Sequence, residues 1–141
     1  MIQSLTNGIS VITGGPGTGK TSIEKIILAV FKRYFPKEDV LLAAPTGKAA
    51  KRMHEQTGYP AMTLHKALGL YADSSGNMVE TDQSMKFPQK LIIIDETSMV
   101  GEELFLSLIS SIRNGSKLIM LGDLGQLESI GALNLAADFY N

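Results

Sequence analysis

The stretch Gly14-Gly15-Pro16-Gly17-Thr18-Gly19-Lys20-Thr21 satisfies every fixed position of G-x-x-x-x-G-K-[ST], and it limits this chain more than any other feature does. The apolar run Ile9 to Thr13 stands directly before it, where a strand feeding a phosphate loop belongs. Glycines let backbone N–H groups converge on phosphate oxygens where a Cβ would intrude. A helix opening near Gly19 turns the positive end of its dipole toward the same anion. Lys20 supplies a mobile charge for β- and γ-phosphates, and the Thr21 hydroxyl is suited to Mg²⁺. Gly15, Pro16, Gly17, Thr18, Gly19, Lys20 and Thr21 are therefore the candidate nucleotide-binding residues, with Thr21 also a candidate metal ligand. The alternative is a glycine-rich turn without a ligand.

Beyond the loop, Ile23, Ile26, Ile27, Val30, Phe31 and Tyr34 recur at i, i+3, i+4, i+7 and predict a helix with those residues in the core. Glu24, Lys25, Lys32 and Arg33 fall on its other faces in this reading. Pro36 ends the helix and Val40 to Ala44 begins a second apolar run. Strand, glycine loop, helix and strand make the βαβ unit of a parallel sheet.

Leu91 to Ile94 is a continuous apolar run, as in a strand buried on both faces, and it ends in Asp95-Glu96. Ligands of open α/β sheets sit beyond the carboxyl ends of the strands, which brings Asp95 beside the phosphate loop. There Asp95 is a candidate Mg²⁺ ligand and Glu96 a candidate base for the attacking water. An acid directly after the cation-binding aspartate suits water activation better than phosphate delivery to a hydroxyl, so the expected reaction is hydrolysis of a nucleoside triphosphate. A pair capping the next helix is the alternative. Lys117 to Leu121 is a further strand, followed by Gly122-Asp123-Leu124-Gly125-Gln126, and Gln126 can bond both a γ-phosphate and a water unless it is only a turn residue. Lys20, Asp95, Glu96 and Gln126 form the candidate catalytic set.

The chain has 141 residues, 44% of them hydrophobic and 19% charged, enough for one domain with its own core. It has no cysteine, which excludes disulfides and thiolate zinc sites and suits a reducing compartment. No apolar run approaches the ~20 residues of a membrane span, and the first residues lack a signal-peptide pattern, so a cytoplasmic chain without membrane contact is expected. A net charge of −1 gives no overall pull toward nucleic acid. Residues 41 to 66, however, carry Lys48, Lys51, Arg52 and Lys66 against Glu55 alone, a local balance of +3 for which a solvated helix face is the ordinary reading.

Together these segments resemble the RecD-like superfamily 1B DNA helicases, the type of the exodeoxyribonuclease V α subunit. Gly14 to Thr21 resembles motif I, Ala44-Pro45-Thr46-Gly47-Lys48-Ala49-Ala50-Lys51-Arg52-Met53 resembles motif Ia, and Thr63-Leu64-His65-Lys66-Ala67-Leu68-Gly69 resembles the DNA-contacting segment that follows. Ile94-Asp95-Glu96-Thr97-Ser98-Met99-Val100 resembles motif II, and Gly122-Asp123, Gln126-Leu127 and Ser129-Ile130-Gly131 resemble motif III. Glu128 departs from the family, which usually carries proline there, and sets a negative charge near the DNA path.

The resemblance implies an α/β, three-layer P-loop NTPase (RecA-like) domain with a parallel sheet. Its expected strand order is 9 to 13, 117 to 122, 91 to 95, then 40 to 44, with 9 to 13 at an exposed edge. Residues 1–141 would then be the ATP-binding motor domain of an ATP-dependent 5′-3′ DNA helicase of recombination or repair, truncated at both ends. Its cofactors would be ATP and Mg²⁺. Its partners would be single-stranded DNA, a second RecA-like domain of the full-length chain that brings an arginine to the γ-phosphate, and other subunits of a helicase–nuclease. Thr46, Lys48, His65 and Lys66 would contact the DNA backbone, while Lys51 and Arg52 are expected to be solvated helix charges. An ATP-driven switch module without unwinding activity and an AAA+-like ATPase acting on protein are the other readings.

Between these motifs, Tyr71 to Lys90 is polar, with a turn at Asp73-Ser74-Ser75-Gly76-Asn77 that suggests a small hairpin. Glu102 to Arg113 predicts a helix with Leu104, Phe105, Leu108, Ile109 and Ile112 toward the sheet and Gly115 just past its end.

Overall fold

In the computed structural model, residues 8–13, 20–72, 74–80 and 86–122 are described. The strands β1 (Ile9–Thr13), β2 (Val40–Ala44), β3 (Met62–Thr63), β6 (Leu91–Ile94) and β7 (Lys117–Gly122) form one parallel sheet in the order β1-β7-β6-β2-β3. The first four occur in the expected order. The fifth, β3, pairs with β2 through only two residues, too few for any periodicity to announce it. Strands β4 (Leu70–Ala72) and β5 (Met78–Glu80) pair antiparallel as the expected hairpin, with Gly76 at φ 83° in its turn. Among the described residues β1 pairs with β7 alone and lies at one edge.

Successive side chains of the central strands alternate between two apolar layers. Ile92 and Ile94 of β6 and Leu118 and Met120 of β7 face α3 (Leu64–Ala67) and α4 (Glu102–Ser110), where Leu64, Phe105 and Leu108 are fully buried. Leu91, Ile93, Ile119 and Leu121 face α1 (Lys20–Tyr34) and α2 (Gly47–Thr57), where Ile27, Leu28, Phe31 and Met53 close the other layer. Helices on both faces explain why Leu91 to Ile94 reads as unbroken hydrophobe: all four residues are 0% exposed. The fold is a three-layer α/β sandwich.

Two expectations about helices are corrected. In α1 the buried stripe is Glu24, Ile27, Leu28 and Phe31, whereas Ile26 and Tyr34, expected in the core, are 43% and 72% exposed. Both sets obey helical spacing and differ by a rotation of about one residue, ~100° of helix. Apolar residues cover more than one face of α1, so periodicity alone left its rotation open, and the sheet chose a face that includes a glutamate. In α4 the helix ends at Ser110 with Ser111 as its cap, where two serine hydroxyls bond back to carbonyls one turn earlier, and Gly115, at φ 88°, turns the chain into β7.

Candidate active site at the carboxyl edge of the sheet

Parallel pairing brings the ends of all five strands to one edge. The registers Thr13↔Gly122, Ile94↔Met120, Ala43↔Ile94 and Ala44↔Thr63 align the points where the chain leaves each strand. At that edge β1 leads into the glycine motif, β7 into the segment of Gln126, β6 into Asp95-Glu96, β2 into Thr46 and Lys48, and β3 into His65 and Lys66. Gly15, Pro16, Gly17, Thr18, Gly19 and Gln126 lie outside the described residues, as do the side chains of Lys20 and Thr21, whose backbone opens α1.

Asp95 and Glu96 occupy the centre of this edge. The Asp95 N–H donates to the Ala43 carbonyl at 3.0 Å, which ties the strand end to β2. The Glu96 N–H donates to Asp95 Oδ1 at 2.8 Å, fixing that carboxylate against its own backbone. Glu96 has φ 52° and ψ 43°, the only non-glycine residue with positive φ among those described. A left-handed residue with a Cβ costs roughly 1–2 kcal/mol. Glu96 stands at the head of the 3₁₀ turn Thr97–Met99, yet its side chain makes no capping hydrogen bond there, so the helix-cap reading has no support at this residue. Its Oε1 lies 3.6 Å from Nη1 of Arg52, on α2.

Sequence reasoning missed two residues here. Thr97 is buried, and its hydroxyl donates to the Leu121 carbonyl at 2.7 Å, clamping the Asp95-Glu96 turn to the end of β7. Glu24 is 1% exposed, and its Oε1 has no hydrogen-bond partner among the described residues. Burial, and after it the nearby Asp95 carboxylate, pushes its pKa from 4.5 up to about 8. The available signal was positional: Glu24 follows Lys20 by one helical turn and shares the i, i+3, i+4, i+7 spacing with Ile27, Leu28 and Phe31.

The basic segment divides. Thr46 is the N-cap of α2 and its Oγ1 accepts from the Ala49 N–H at 3.2 Å, which leaves the hydroxyl proton free to be donated to a ligand. Thr63 caps α3 in the same way, accepting from the Lys66 N–H. Lys51 and Arg52, expected to be merely solvated, each meet an acid: Lys51 approaches Glu55 at 3.9 Å and Arg52 reaches Glu96. Lys48 and Lys66 are exposed and make no ion pair among the described residues. His65 borders an open cleft of about 590 Å³ together with Met99, Glu102 and Glu103. Among the described residues no group of three or more His, Cys, Asp or Glu converges as a metal cage, and no helix is long and apolar enough to cross a membrane.

A strand, the phosphate motif that follows it in the sequence, a helix, an acidic pair at the end of the central strand and a parallel sheet define a P-loop NTPase domain, and residues 1–132 match the family described as AAA domain. The chain is 36% identical to RecBCD enzyme subunit RecD of Mycobacterium tuberculosis, over 96% of this chain and 27% of that protein. It is 38% identical to the ATP-dependent RecD2 DNA helicase of Deinococcus radiodurans, over 86% of this chain and 16% of that one. Among solved structures, a Pif1 helicase from Bacteroides superposes with TM-score 0.62 at 27% identity, covering 98% of this chain and 34% of that one. The same helicase in complex with ADP-AlF3 and ssDNA gives TM-score 0.52 at 27% identity, covering 87% and 30%. The chain belongs to the AAA-domain family, and the relatives it matches include RecD subunits and a RecD2 DNA helicase. It spans about a quarter of the length of the RecD relatives it matches.

Proposed function

We propose that this chain is the ATP-binding and hydrolysing motor domain of an ATP-dependent 5′-3′ DNA helicase acting in recombination or repair. The observation that carries the reading is the delivery of Asp95-Glu96 to the centre of the sheet edge where β1 hands the chain to the phosphate motif. The Pif1 solved with ADP-AlF3 and ssDNA supports the ligand classes.

In this reading the backbone of Gly15 to Gly19 and Lys20 hold the triphosphate, while Thr21 and Asp95 hold Mg²⁺. Such an ion takes one or two protein oxygens together with waters and phosphate oxygens, and a hydroxyl and a carboxylate, as on Thr21 and Asp95, are donors of that kind. When bound, it neutralises charge that develops on the β- and γ-phosphoryl oxygens. Glu96 accepts the proton of the attacking water, and Gln126 orients that water against the γ-phosphate. Thr46, Lys48 and Lys66 contact the DNA backbone beyond β2 and β3, with His65 beside them over a cleft whose glutamates disfavour a phosphate and leave room for a base. A second RecA-like domain contributes an arginine, an element worth about 10³ to 10⁵ in rate in phosphoryl-transfer enzymes.

Calorimetric titration with an ATP analogue tests the core of this. Lys20→Ala abolishes binding, whereas Glu96→Gln binds as well as the parent and does not turn over; equal loss of binding in both would remove Glu96 from the water. Single-stranded DNA binding should show a log–log salt slope of about −2, from three backbone contacts at roughly −0.7 each. A slope near zero, or one unchanged by Lys48→Ala with Lys66→Ala, returns the basic segment to solvent. Phosphate release by these 141 residues should be slow and should rise when a second RecA-like domain is supplied. Several turnovers per second that ignore DNA would favour a self-sufficient ATPase.

A further inference from the structure

We propose that Glu24 is a positioning residue of the cation–nucleotide site: its carboxylate, buried one helical turn after Lys20 on the side of Asp95, accepts a hydrogen bond from a water carried by the cation that Asp95 holds. The inference rests on the nucleotide-binding reading above and adds to it a residue outside every motif that carried that reading.

Three observations converge on Glu24. It is 1% exposed, a degree of burial that an acid reaches almost only when paired. Its Oε1 nevertheless has no partner among the described residues, and buried side-chain oxygens without one are rare enough in folded proteins to require a reason. It also lies on the sheet-facing stripe of α1, with Ile27, Leu28 and Phe31 continuing that stripe down the helix. Ala44 belongs to the same apolar layer and is the last residue of β2, so the stripe begins at the carboxyl edge that carries Asp95.

Packing does not require an acid at this position. A leucine would extend the apolar stripe, and burying a carboxyl without a partner costs free energy whichever form it takes. A function that supplies a hydrogen-bond donor and a positive charge at the same point removes both objections. Magnesium keeps several of its waters when protein-bound, and each such water is a strong donor. Acceptors of that kind orient the hydration shell and typically change metal affinity 10- to 100-fold when removed. The two causes that hold the Glu24 proton, burial and the negative charge of Asp95, are those a divalent cation beside Asp95 would oppose.

The test uses Mn²⁺ as the probe, its free concentration followed by electron paramagnetic resonance, with ADP present, on the parent chain, Glu24→Gln and Glu24→Leu. Both variants should bind Mn²⁺ roughly 10-fold or more weakly in the presence of ADP. Their affinity for ADP measured in a chelator should be unchanged, and without cation they should melt at or above the parent's temperature. Parental Mn²⁺ affinity in either variant overturns the proposal, and so does a melting temperature below the parent's, which would assign Glu24 to the packing of α1. If the parent itself fails to bind ADP with Mn²⁺, the nucleotide-binding reading falls first, so the two failures are distinguishable.

Discussion

The two sides of Asp95 meet opposite conditions. Toward α1 stands Glu24, 1% exposed, with one oxygen unpartnered among the described residues and a pKa pushed up to about 8. Toward α2 stands Glu96, whose side chain is 32% exposed and is paired with a half-exposed Arg52 at 3.6 Å. The residue type is the same; the dielectric is not. On the buried side a single charge lacks water and every missing partner is costly, while on the open side water and salt compete for each contact. Perturbations should therefore lose force from α1 toward α2.

The largest effect should be a pH dependence owed to Glu24. Its pKa in the folded protein is about 8 against 4.5 for an ordinary carboxyl, so between those values the folded state keeps a proton that the unfolded state has released. The stabilisation is complete below about pH 4.5 and is lost as pH rises through about 8, a change on the order of 2–4 kcal/mol at ~1.4 per pK unit after structural relaxation. Urea unfolding at pH 5 and pH 8 should show the parent weaker at pH 8 by an amount that Glu24→Gln abolishes. An identical pH difference in the two proteins would break the comparison.

Next comes the clamp beneath the acidic pair. Thr97→Val keeps the shape and removes the donor to Leu121, at a cost of about 1–3 kcal/mol for a buried carbonyl left without its partner. Chemical denaturation measures the loss, and a change within error would mean that the turn is held by Asp95 and the β7 backbone alone. At the entry to α2, Thr46→Ala removes the cap on the Ala49 N–H for about 1 kcal/mol. Thr46→Ser should restore most of it, which separates capping from loss of the methyl group.

The smallest effect belongs to the open side. Arg52→Ala should change stability by no more than ~1 kcal/mol, and the difference should shrink further as salt is added. Double-mutant cycles with Glu96→Gln measure the coupling. A coupling of several kcal/mol that survives high salt would show the α2 side to be as dry as the α1 side and would erase the contrast.

How much of this was legible beforehand follows the range of the interactions. The strands themselves were readable because Leu91 to Ile94 and Lys117 to Leu121 are continuous apolar runs and the phosphate motif marks β1, while their order came from the resemblance alone. Asp95 and Glu96 were readable because acids at the end of such a run are chemically conspicuous. The rotation of α1 was not, since apolar residues on adjacent faces satisfy the same spacing and only the sheet's surface selects between them. Arg52 likewise could be placed on a helix, but not aimed.

What the sequence by itself determined is local and periodic: the glycine motif, the buried strands, the helices that follow them and the acidic pair. Each depends on residues a few positions apart, whose geometry the backbone dictates. What only the tertiary structure decided is the company each charge keeps. Glu24 joined Asp95 across 71 positions of chain, Thr97 reached Leu121 and Arg52 reached Glu96 because parallel pairing folds distant segments onto one sheet edge. Whether a carboxyl there is neutral, paired or exposed depends on the dielectric around it, which exists only after the layers have closed.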